Sequence, residues 1–167
     1  MGVDVYALPE TFTALNVIHH RAKPIVENKC IEIGTLKILS VPLFHDCPCV
    51  GYMVYSTKTG ERLFFATDTY KITINPAKVN YLILEINYQK EIVNNLVNEG
   101  IIEPSIRRRL MFSHFELSNA IKWLEKIDRS VLKRIYVAHL SGHNADAKAI
   151  KNAVVSEFGI PTTICKA

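Results

Sequence analysis

The sequence predicts a layered α/β protein. Three observations carry that reading. Short apolar runs bounded by turn residues alternate with longer amphipathic stretches, and the connections between them are short. Ligand-type or proton-transferring side chains also stand directly after several of the apolar runs: His45 after 37–44, Asp68 after 63–66, His139 after 134–138. In a layered α/β domain that placement gathers polar groups at one edge of a sheet.

The elements follow in order. Residues 3–8 alternate polar and apolar and predict a strand, and 9–15 a short helix with Pro9 in its first turn. Residues 30–33 and 36–41, separated by the turn at Gly34, predict consecutive strands. Strands at 51–55 and 62–66 flank Thr57-Lys58-Thr59-Gly60, a hairpin turn. The continuous apolar run 81–86 predicts a strand buried on both faces. A helix over 91–100 closes at Gly100, and a second over 118–126 turns Ala120, Ile121, Trp123 and Leu124 inward. Residues 134–138 predict a strand, 146–158 a helix, and 160–165 a short edge strand. No repeat, low-complexity stretch or linker interrupts this order, so residues 1–167 read as a single domain.

Composition agrees. A chain of 167 residues, 49% hydrophobic and 22% charged, has the make-up of a folded globular protein with a real core. Its net charge of +4 suits a phosphate-bearing substrate and an ordinary solvated surface equally well. No apolar run approaches the ~18 residues of a membrane span. The N-terminus has neither a basic region nor a cleavage signal, and Gly2 lacks a myristoylation context because Tyr6 stands where Ser or Thr is needed. A cytoplasmic location with no membrane partner is the expectation. The four cysteines are irregularly spaced, and Cys47-Pro48-Cys49 is too tight for a zinc knuckle. They read as reduced loop or core thiols.

His45, Asp68 and His139, two imidazoles and a carboxylate on three strand tips, are a set that zinc or manganese accepts. His19-His20 is a close pair without an alternating pattern and reads as a surface or supporting pair. Arg107-Arg108-Arg109 stands just before His114 and reads either as a phosphate-backbone contact or as a solvated basic face. Phe44, Tyr88 and Phe115 read either as walls of a base-binding pocket or as core. Glu116 is a candidate partner for His114, and Asn144 a support for the loop carrying His139.

The order of these pieces resembles the metallo-β-lactamase-fold hydrolases, in particular the tRNase Z-like nucleases and small bacterial and phage phosphodiesterases. Val41-Pro42 through His45-Asp46 to Gly51-Tyr52 resembles the third metal motif of that family. Ala66-Thr67-Asp68-Thr69 is similar to the fourth, and Ala138-His139-Leu140-Ser141 through Asn144 to the fifth. Leu84-Glu85-Ile86-Asn87 resembles the Leu-Glu-Ala-Asn run of this branch, and Ser113-His114-Phe115-Glu116 its proton-donor loop. The resemblance implies a four-layer αββα sandwich, a two-metal site of zinc or manganese, metal ligands at His45, Asp68 and His139, and His114 as the catalytic proton donor to a phosphodiester substrate, a nucleotide or nucleic acid.

The chain also departs from that family. Nowhere does it contain the His-x-His-x-Asp-His cluster that completes the site, so half of the metal ligands are absent. It corresponds to the C-terminal two-thirds of the family fold, as if truncated at the N-terminus around residues 3–8. Two expectations follow. Either this is a metal-dependent phosphodiester hydrolase, incomplete or inactive alone and completed by a complementing N-terminal chain, or it is a non-catalytic truncated scaffold binding a nucleotide, nucleic acid or protein partner. Without leading strands the fold should also expose apolar surface and unpaired backbone, which favours a homodimer or that complementing chain.

Overall fold

The structure, a computed structural model, describes residues 2–165. Strands β3 (Cys30–Ile33), β4 (Leu36–Pro42), β5 (Val50–Ser56), β6 (Arg62–Ala66), β7 (Tyr81–Glu85), β8 (Arg134–Ala138) and β9 (Thr162–Ile164) form one seven-stranded sheet in that spatial order. The hairpin half, β3 to β6, is antiparallel, and β6 to β9 is parallel. The predicted turn at 57–60 joins β5 to β6, with Gly60 at φ 72°. A separate pair, β1 (Val5–Ala7) and β2 (Ala22–Pro24), is parallel and flanks the short helix α1 (Pro9–Ala14).

Strand direction decides where the polar residues gather. Both β4 and β6 are antiparallel to β5, so they run the same way, and β7 and β8 run with β6. The C-terminal tips of β4, β6, β7 and β8 therefore share one edge. His45, Asp68, Glu85 and His139 lie on those tips.

The sheet's two faces differ. Phe64, Leu82 and Ile135 form one cross-strand row and Ala66, Leu84 and Val137 the next, all with no exposure. They pack against α4 (Leu117–Lys126) and α5 (Ala147–Phe158) through Trp123, Leu124, Ile150 and Val154. The Trp123 ring lies 5.9 Å from that of Phe64, and its indole N–H donates to the Ile74 carbonyl at 2.9 Å. The opposite row, Tyr52, Phe65, Ile83 and Tyr136, is only half-buried. Within the run 81–86, Leu82, Leu84 and Ile86 join the helical core with no exposure, whereas on the other face Glu85 is buried but Tyr81 and Ile83 are only half-buried. On the other face Ile31, Ile33, Ile38, Val54, Leu63 and Phe65 line an open groove of about 460 Å³, touched by Tyr6 of the small sheet and Ile25 just after it. Apolar surface is exposed there, as the sequence leads one to expect.

Helix ends are set by local chemistry. The Asp146 carboxylate accepts from the Lys148 and Ala149 N–H groups to start α5, and Gly159 at φ 66° ends it. Helices α2 (Lys90–Asn98) and α3 (Pro104–Ser113) connect β7 to α4. Sequence periodicity missed α3 because consecutive arginines blur its apolar stripe; its legible signal is Pro104 at the first helical position. It also missed β2, a strand of three residues. Among the described residues no helix is long and apolar enough to cross a membrane.

Gly51 is held by a close approach in the strand next to β4. A Cβ there would sit 2.6 Å from the Phe65 carbonyl oxygen and 3.3 Å from the Leu43 side chain. Gly51→Ala should destabilise the fold by roughly 2 kcal/mol, as other overpacked interiors are destabilised. Urea unfolding measures this, and an unchanged midpoint would show that the β5–β6 approach is looser than described.

Candidate metal centre

The tips of β4, β6, β7 and β8 and the junction between α3 and α4 supply the site. Two of its residues depart from ordinary backbone geometry: Asp68 has φ 56° and His139 φ 53°. Left-handed backbone costs a non-glycine residue on the order of 1 kcal/mol, and it turns each chain sharply as it leaves its strand.

Glu85 is the hub. Its side chain is fully buried at the end of β7. Its Oε1 lies 2.6 Å from His114 Nδ1 and 2.8 Å from His139 Nδ1, while Oε2 accepts from the Thr69 N–H at 2.9 Å. One carboxylate thus orients two imidazoles and the turn that follows Asp68. Each imidazole gives its Nδ1–H to Glu85 and keeps Nε2 for the site. The hydrogen bond to Glu85 raises the His114 pKa above the ordinary histidine value, outweighing the opposite effect of partial burial. His139 is the more open of the pair, 45% exposed, with Asp68 Oδ1 3.6 Å from its Nδ1.

His45 is oriented independently. Asp46 Oδ1 lies 2.5 Å from its Nδ1, and Arg109 Nη2 holds the other Asp46 oxygen at 3.0 Å. A carboxylate at that distance keeps the proton on Nδ1, so Nε2 is the free lone pair. That Nε2 atom is buried and has no hydrogen-bond partner among the described residues. A buried polar atom without a partner is costly unless something fills its coordination, and a metal ion does. Ligand atoms of His45, Asp68 and His114 all lie within 4.8 Å of one another. The donor set and the unpartnered nitrogen fit a divalent cation.

The structure brings His45, Asp68, His114 and His139 together. The His114 ring stands between the other two, 5.2 Å from His45 and 5.3 Å from His139. Glu116 does not pair with His114. Its carboxylate caps α4 by accepting from the Ser118 and Asn119 N–H groups, and Glu85 takes the role instead. Tyr88 and Phe115 are core residues, 4% and 2% exposed, and do not wall the site. The Asn144 backbone N–H meets Ser141 Oγ at 3.3 Å, and the Asn87 side chain anchors the His139 loop by donating to the His139 carbonyl at 2.7 Å. His19 and His20 stack on each other in an exposed loop. Cys47 Sγ lies 3.5 Å from His45 Nδ1; the Cys49 thiol, pushed up to about 11 by burial, donates to the Asp68 carbonyl. Sequence reasoning quoted Glu85 without giving it a role. The signal was a lone carboxylate inside a continuous apolar strand, a residue type rarely buried without partners.

No protein-family model matches the chain, and no curated protein matches it. Solved structures do. The metallo-beta-lactamase fold protein YhfI from Bacillus subtilis is similar over 96% of this chain and 61% of its own, at 15% identity and a TM-score of 0.67. An isothiocyanate hydrolase from Delia radicum gut bacteria matches over 96% of this chain and 63% of its own, at 15% identity and a TM-score of 0.60. A diphosphatase of the PhnP family matches over 96% and 54%, at 17% identity and a TM-score of 0.57. The chain has the metallo-β-lactamase fold. It spans between 54% and 63% of the length of these structures.

Because Glu85 raises the His114 pKa, Glu85→Gln should lower it, as followed by NMR titration of the imidazole C–H resonance. The pair should stabilise the fold fully below an ordinary histidine pKa of about 6.5 and lose that contribution as pH rises through the raised folded value. An unshifted His114 titration in the variant would refute the hydrogen bond.

Proposed function

We propose that this chain carries part of a metal-dependent phosphodiester hydrolase whose site is completed by residues outside this sequence. One observation carries the reading: the unpartnered Nε2 of His45 stands in a group whose ligand atoms, from His45, Asp68 and His114, lie within 4.8 Å of one another, with the His139 ring 5.3 Å from that of His114. His45, Asp68 and His139 would hold zinc or manganese, and a cation there would neutralise charge on phosphoryl oxygens and lower the pKa of attacking water.

The remaining steps belong to the chain. Glu85 fixes the His114 ring by its Nδ1, so Nε2 can deliver a proton to the leaving alkoxide. Asp46 fixes His45 in the ligand tautomer. Of the assigned ligands, His45 and Asp68 would hold one cation and Asp68 and His139 the other, two each where a catalytic zinc keeps three. The open groove under β3–β6 is where the completing layer would lie, whether supplied by a segment outside this sequence, a separate N-terminal chain or a second copy. That exposed face also favours the second reading, a non-catalytic scaffold binding its partner there.

Elemental analysis of protein purified without chelator, paired with hydrolysis of bis-p-nitrophenyl phosphate in added manganese or zinc, separates the two. The hydrolase reading expects substoichiometric metal and slow turnover, both removed by His45→Ala and by His139→Ala. Metal content indifferent to both substitutions, without turnover, would leave the scaffold.

A further inference from the structure

We infer that the rim of the metal centre formed by Phe44, Tyr70 and Phe112, with Lys71, Arg108 and Arg109, binds single-stranded polynucleotide by stacking an unpaired base and holding its phosphates. The inference rests on the phosphodiester reading and gives it a substrate class.

The rings form a continuous path beginning beside a candidate ligand. Phe44 precedes His45, and its ring lies 6.0 Å from that of Tyr70 in an edge-on arrangement. Tyr70 lies 6.2 Å from Phe112, again edge-on. The Tyr70 N–H donates to the Phe44 carbonyl at 3.0 Å, locking the two loops. Phe112 is 59% exposed although it stands two residues before the buried turn at His114. A large ring left in water at the end of a helix, on a path of other rings into a polar site, is a surface waiting for a flat partner.

Cations interleave with the rings. The Lys71 ammonium sits 4.1 Å from the centre of the Phe44 ring and 5.3 Å from that of Tyr70. Arg108 is exposed, and Arg109, 77% exposed, reaches the rim where it meets Asp46. The helix carrying them, PSIRRRLMFS, has no acidic residue. Rings supply a face that any base stacks on, and cations track the phosphates. A duplex hides its base faces, so a single strand is the form this rim fits. An acidic peptide would meet the cations but leave Phe112 unused.

Fluorescence anisotropy with chelator present tests this without turnover. The probes are a labelled oligothymidylate and an abasic deoxyribose-phosphate strand of equal length. Oligothymidylate should bind about tenfold more tightly, in keeping with one stacked base. Phe112→Ala, at an exposed position that leaves the core intact, should erase the difference. Arg108→Ala with Arg109→Ala should weaken both strands alike and flatten the salt dependence. Equal binding of the two strands, a base preference that survives Phe112→Ala, or polyglutamate bound as tightly as oligothymidylate would each overturn the inference. Base-dependent binding by a chain that takes up no metal would support it while overturning the hydrolase reading.

Discussion

The site depends on one buried carboxylate. Glu85 has no exposure and ends a strand whose neighbours are Leu84 and Ile86. Burying a charge there is strongly unfavourable unless both carboxylate oxygens are hydrogen-bonded. Two imidazole N–H groups meet Oε1 and the Thr69 N–H meets Oε2, and those donors come from the α3–α4 junction, the loop after β8 and the turn after β6. Desolvation thus enforces geometry. If either histidine swung away, Oε1 would lose a charge-assisted hydrogen bond in a dry place, worth more than the same bond at the surface. Thr69 carries the constraint further, because its hydroxyl accepts from the Phe44 N–H at 3.0 Å and so ties the His45 loop to the same hub.

Strand direction supplies the rest. Four tips on one edge require β4 to run with β6, and the single antiparallel strand β5 between them achieves that. Gly51 lets β5 lie close to the Phe65 carbonyl and the Leu43 side chain, in the segments that lead to Asp68 and His45. Neither constraint is local to the site.

That division explains what was legible in the sequence. Alternating and continuous apolar runs revealed β3 to β9 and the helices α2, α4 and α5, because burial writes its period into the chain. His45, Asp68, His114 and His139 were legible as polar groups standing after such runs. What a side chain touches across the fold was not. Glu116 is nearer to His114 in sequence than Glu85 is, yet helix capping claims it. Tyr88 and Phe115 looked like pocket walls and are core, whereas Tyr70 and Phe112, which no pattern singled out, face the rim. Residues 81–86 looked doubly buried because apolarity marks a face that can be covered, whether or not this chain covers it.

The uncovered face and the short ligand count bear on the same region. The groove runs beneath β3 to β6, and two of its strands, β4 and β6, end in the turns that carry His45 and Asp68. Phe65, on the open face, is three residues from Asp68. Half of the exposed large hydrophobic residues fall within residues 3–26, around the two-stranded sheet whose edges have no further strand. A layer laid along β1–β2 and over the groove would bury that apolar surface and satisfy those strand edges. The same layer would bring new side chains to the tips of β4 and β6, where His45 Nε2 still lacks a partner. Burial of apolar area is non-directional and would supply affinity, whereas the unpartnered nitrogen and the strand edges would set register. If such a layer binds, assembly and metal loading would be one coupled equilibrium, each raising the apparent strength of the other.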